Sequence, residues 1–124
     1  MLKLKKLEST YSILKLPAKF EIPPWAIEGS FYAINRTPDE LSIVCESRFV
    51  PPEVDSQSGQ WACLKVDGLL DFAQTGILSS IAGPLARAKI SIFAMSTFNT
   101  DYILVKEDQL DKAVESLRKS GFTL

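Results

Sequence analysis

The stretch SIFAMSTFNTDYILVKE, residues 91–107, reads as two apolar runs around a polar middle. ISIFAMS (90–96) and YILVK (102–106) are rich in β-branched and aromatic residues, whereas TFNTD between them holds side chains that bond readily to nearby backbone. The segment predicts two antiparallel strands joined by a short connection. A similar segment lies upstream. Laid over SFYAINRTPDELSIVCE, residues 30–46, at an offset of 61, it places Ser30, Ala33, Val44 and Glu46 on Ser91, Ala94, Val105 and Glu107, and Glu40 on Asp101. These four identities in seventeen positions, with apolar positions matching almost throughout, make the strand pair an internal repeat.

Working outward, WACLKV (61–66) is a strand closed by a turn at Asp67-Gly68, and SILKLP (12–17) falls on ACLKVD (62–67) at an offset of 50. The first copy is therefore 11 residues shorter between its first two strands, about three helical turns. In the second copy that space holds a helix over Gly76–Lys89, with Ile77, Leu78, Ile81, Ala82 and Leu85 on one face, Thr75 as N-cap and a bend expected at Gly83-Pro84. In the first copy PPWAIEG (23–29) leaves room only for a turn or one helical turn. A last helix begins at Glu107 and Asp108, buries Leu110, Ala113, Val114 and Leu117, ends on Arg118 and Lys119, and stops at Gly121. FTL beyond it begins a closing strand too short to be a full one, MLKLKKLEST suits an edge strand, and VPPEVDSQSG (50–59) is a linker. The predicted fold is α+β: two ferredoxin-like βαββαβ units in tandem, over 1–59 and 60–124, with antiparallel sheets and helices on one face.

Composition narrows the chemistry. With 124 residues and 46% hydrophobic content the chain can bury a sizeable core, and a net charge of -1 from 14 basic and 15 acidic residues argues against nucleic acid as partner. The chain has no histidine, so the commonest general base and nitrogen ligand for zinc are missing. Asp67 and Asp71 in VDGLLD could hold a cation or share a proton, yet acids suit a turn and a helix lead-in equally. Cys45 and Cys63 form no CxxC pair and read as reduced core thiols, no apolar stretch spans a membrane, and the N-terminus lacks a signal peptide's apolar run. A cytoplasmic protein is expected, without metal or cofactor.

RTPDELSIVCE (36–46), DFAQTGIL (71–78) and ISIFAMSTFNTDYILVKEDQL (90–110) resemble, in order and spacing, segments of small bacterial tandem ACT-domain proteins related to the CASTOR arginine sensors and the aspartate kinase regulatory domain. The resemblance implies a non-catalytic regulator that binds an amino acid where two ACT units meet and passes the outcome to a partner protein. It implies that Thr97, Phe98 and Asp101, matching a Thr-Phe-x-x-Asp run that lines the sensors' pocket, contact ligand, together with the helix start at Gly76 and Ile77. The roles are chemically coherent. Backbone donors at a helix start attract a carboxylate, Asp101 and the Thr97 hydroxyl accept from an ammonium or guanidinium, and Phe98 covers an apolar part. The sensors hold four ACT units on one chain, so a comparable assembly here is a homodimer.

Other readings stay open. Asn99, Thr100 and Asp101 are what any hairpin connection uses, and Gly76 could serve a close backbone crossing or a flexible helix start. A ligand-free interaction module with the same fold is the first alternative, and an enzyme using Asp67, Asp71 or Asp101 as acid or base is a more distant one.

Overall fold

A computed structural model of the protein describes residues 2–54, 59–67 and 75–124. Asp71, Gly68, residues 55–58 of the expected linker and 71–74 of DFAQTGIL lie outside the described residues. In chain order the strands are β1 (Leu4–Lys6), β2 (Tyr11–Leu16), β3 (Ala33–Arg36), β4 (Leu41–Glu46), β5 (Trp61–Val66), β6 (Ile92–Ser96) and β7 (Asp101–Lys106). The α-helices are α1 (Ile77–Arg87) and α2 (Leu110–Lys119), and short 3-10 turns occupy Pro24–Ile27, Ser47–Phe49 and Glu107–Gln109.

The chain forms two compact units, one of Met1–Glu8 with Ala62–Leu124 and one of Ser9–Trp61. The expected division at 59/60 differs from this one at its start, because the first strand joins the later segment. β1 runs antiparallel to β5, with Leu4 opposite Val66 and Lys6 opposite Leu64, and Leu4 is buried in the core of that unit. FTL adds a single bridge, Thr123 to Lys3. β5 is thus paired along Leu64–Val66 by residues from the start of the same chain.

In the 62–124 unit the strand order is β1-β5-β7-β6 and the β6/β7 hairpin pairs Ile92 with Val105 through Ser96 with Asp101. Both helices pack on one core: Leu64, Val66, Ile103 and Val105 from the strands meet Ile81 and Leu85 of α1 and Ala113 and Leu117 of α2. α1 runs through Pro84 without interruption. Pro84 is buried there beside fully buried Ile81 and Leu85, so core contacts offset the cost of the missing N–H. Its N-cap is Gly76 rather than Thr75, in the left-handed region at φ 78.

The Ser9–Trp61 unit orders β3-β4-β2, all antiparallel, with Leu14, Ala26, Leu41, Ile43 and Cys45 at its core. Pro24–Ile27 makes the single helical turn expected in place of the missing helix. The two hairpins correspond at an offset of 60, not 61. Thr37 N donates to the Glu40 carbonyl at 2.9 Å as Thr97 N donates to the Thr100 carbonyl at 2.8 Å, and 3-10 turns follow at Ser47 and Glu107. The one-residue correction matters because it exchanges the two faces of every paired strand.

Candidate functional site

All five candidate residues lie in the 62–124 unit, at the start of α1 and from the β6/β7 connection to the first residue of β7, with Gly76, Thr97 and Phe98 exposed and Ile77 and Asp101 partly buried. The β6/β7 connection is built on one hydroxyl: Thr97 Oγ1 donates to the Thr100 carbonyl at 3.1 Å and accepts from Thr100 N at 3.3 Å. Thr100, 3% exposed, donates from Oγ1 to the Val66 carbonyl at 2.7 Å, which ties the turn to the end of β5. The Thr97 hydroxyl therefore spends its proton and one lone pair on shaping the turn. Phe98 at its tip is 80% exposed, an unusual position for a large aromatic side chain.

Asp101 opens β7 directly opposite Ser96, whose Oγ donates to Oδ1 at 2.5 Å. That bond fixes the carboxylate's direction, while its second oxygen has no hydrogen-bond partner among the described residues. The charge is half-buried, so an ammonium or guanidinium arriving here would form a charge-assisted bond with little reorganisation.

Gly76 and Ile77 form the start of α1. The Gly76 carbonyl accepts from Ser80 N at 2.8 Å, and the Ile77 carbonyl accepts from Ser80 Oγ at 2.6 Å. Among the described residues a Cβ built on Gly76 would meet nothing within 4 Å, so none of their backbone crosses closely at this point. Its positive φ is a sufficient reason for glycine, and the open space leaves the helix start approachable. Ile77 leans on the core beneath. The bonds that join Thr97, Thr100, Ser96 and Asp101 into one cluster do not include Gly76 or Ile77.

Asp67 serves the strand end, as its turn reading expects: its N–H donates to the Lys3 carbonyl at 2.8 Å and its carboxylate lies 4.0 Å from Lys3 Nζ. Among the described residues no group of three His, Cys, Asp or Glu side chains could hold a metal, and no helix is long and apolar enough to cross a membrane. Both thiols are free and buried, and burial pushes Cys45 up to about 11 and Cys63 to about 12, so neither is a nucleophile near neutral pH.

Sequence reasoning missed Ser96, named Thr100 only as a turn residue and Glu46 only as a matched position of the repeat. Ser96 was recoverable from the hairpin register, since it is the residue opposite Asp101. The other two depend on partners 34 and 37 positions away, Val66 for Thr100 and Ser9 for Glu46.

Comparison with known proteins places these residues in context. Residues 57–119 match the ACT domain family, and residues 9–53 match a family described as an N-terminal domain. The cytosolic arginine sensor for mTORC1 subunit 1 of Bos taurus is 36% identical over 103 residues, covering 77% of this chain and 31% of the sensor. The chain thus spans about a third of the length of the curated relatives it matches. A crystal structure of an Agobacterium tumefaciens protein superposes with a TM-score of 0.92 at 42% identity, covering 99% of this chain and 91% of that one. The aspartate kinase of Clostridium acetobutylicum gives a TM-score of 0.61 at 15% identity over 94% of this chain and 33% of the kinase, a likeness of fold alone.

Proposed function

The chain belongs to the ACT-domain family, and on that premise we propose that it is a non-catalytic regulatory protein that binds a free amino acid at the Thr97–Asp101 turn. The observation that carries this reading is the Asp101 carboxylate, oriented by Ser96 on one oxygen and lacking a described partner on the other, beside a Phe98 ring that is 80% exposed. A charge-assisted bond at such a group is worth about 1.5–3 kcal/mol, enough to select a ligand bearing an ammonium or guanidinium. The name of its arginine-sensor relatives supports the same ligand class. Gly76 and Ile77 would offer the helix start to the ligand's carboxylate, Phe98 would cover its apolar part, and Thr97 would hold the turn that presents Asp101.

The second unit, with its equivalent hairpin, would be a further ACT-like unit in tandem with the first. A homodimer in the cytosol, passing the ligand's effect to a protein partner, completes the proposal.

A thermal-shift screen of the twenty amino acids tests it, since a ligand at 100 times its dissociation constant adds about 2.7 kcal/mol to stability. At least one amino acid should raise the melting temperature, and Asp101→Asn should cut the rise to about a third. If none does, a Thr97 hydroxyl whose proton is spent on the turn and the exposed Phe98 fit instead a module that contacts protein and holds no small ligand.

A further inference from the structure

Glu46 ends β4 in the Ser9–Trp61 unit and is 1% exposed. Three chain segments converge on its carboxylate. Ser9 Oγ donates to Oε1 at 2.7 Å, Arg48 Nε lies 3.3 Å from the same oxygen, and Ser30 N donates to Oε2 at 3.0 Å. Gly29 comes so close that a Cβ there would fall 1.8 Å from Oε2 and 2.9 Å from the Phe49 ring, and its φ of 83 is one that favours glycine. The chain between Pro24–Ile27 and β3 is therefore pressed onto the carboxylate, and Ile27 and Tyr32, 50% and 45% exposed, flank the contact.

We propose that the Glu46 carboxylate is a latch, fixing residues 27–32 and the entry at Ser9 onto β4, and that protonating it releases both while the 62–124 unit keeps its fold. The Ser30 N–H and the Arg48 Nε–H can only donate, so a proton on Oε2 displaces the first and a proton on Oε1 removes the charge that holds the second, while the Ser9 hydroxyl can turn to accept. The ionised form is favoured in place. The Ser9 bond, then the Ser30 N–H and the Arg48 guanidinium, hold Glu46 below the usual glutamate range against the opposing effect of burial. Among the described residues Arg48 is the charged group facing it. The adjacent Cys45 thiol, pushed up to about 11, stays neutral throughout. A depressed carboxyl stabilises the fold above its unfolded value, and that contribution is lost as pH falls through the folded one, so the latch opens on the acid side.

The test is an NMR pH titration of the full chain, following the Ser30 amide. In the wild type it should titrate with a midpoint below the ordinary glutamate range. Ser9→Ala should raise that midpoint by roughly one pH unit, the equivalent of one hydrogen bond. Glu46→Gln should remove the titration and speed amide exchange of residues 27–32 about tenfold or more at neutral pH, with Ile103 and Val105 changing by less than about twofold. A Ser30 amide that does not titrate overturns the proposal. So does acid opening of residues 27–32 in one step with Ile103 and Val105, and if Glu46→Gln does not fold, an unmoved midpoint in Ser9→Ala overturns it too.

Discussion

The two hairpins of this chain use one turn for two different ends. In each, a threonine hydroxyl bonds to the residue three positions on, Thr37 to Glu40 and Thr97 to Thr100, and the strands on either side pair in the same register. Beyond the turn they diverge. The next residue is Leu41, fully buried, in one and Asp101, partly exposed and bonded to Ser96, in the other. At the far end of the same strands stand Glu46, buried and latched, and Lys106, exposed. Backbone geometry has been kept in both copies. A carboxylate opens the second strand of one hairpin and ends that of the other, so one presents it at the turn and the other spends it on its own packing.

The most severe way to break the comparison is to force the charge of one hairpin into the other. Leu41→Asp puts a carboxylate where the Ser9–Trp61 unit has a fully buried side chain, and should destabilise by about 3–5 kcal/mol in chemical denaturation, whereas Asp101→Leu should stay within about 1 kcal/mol. Next come the glycines. Gly29→Ala adds an overlap with Glu46 to an unfavourable φ and should cost at least about 2 kcal/mol, while Gly76→Ala, with nothing within 4 Å, should cost only the φ term, about 1 kcal/mol. Equal losses would remove the close approach at Glu46 from the account. Thr100→Val keeps the shape and deletes the bond to the Val66 carbonyl, with an expected loss of about 1 kcal/mol in melting experiments. Smallest and opposite in sign, Gly83→Ala in α1 should stabilise by up to about 1 kcal/mol, since the new methyl meets only the mobile end of Arg87 at 3.3 Å.

Much of this was legible in the sequence because the signals were local. WACLKV marks β5 from end to end, the TFNTD connection marks the hairpin, and the apolar stripes of both helices match their core faces except at Ala82 and Val114, which are only partly buried. The register of the repeat was misread by one residue for a physical reason. β4 and β7 bury consecutive residues, Ile43, Val44 and Cys45 in one and Ile103, Leu104 and Val105 in the other, so no alternation of apolar and polar positions distinguishes an offset of 60 from 61. Pairing of β1 with β5 was out of reach, since nothing local to Leu4–Lys6 identifies residues 64–66 as its partner. At the site, Asp101 and Phe98 could be singled out by type, but only the bonds to Ser96 and Thr100 separate the group that can meet a ligand from the one that builds the turn.

The most direct measurement is calorimetric titration with whichever of the twenty amino acids gives the largest thermal shift, comparing the wild type with Asp101→Asn and Asp39→Asn. If one hairpin presents its carboxylate for recognition and the other only turns, Asp101→Asn weakens binding by about 2 kcal/mol, roughly thirtyfold, and Asp39→Asn leaves it unchanged. Equal affinity in all three proteins, or an equal loss in both variants, contradicts the account.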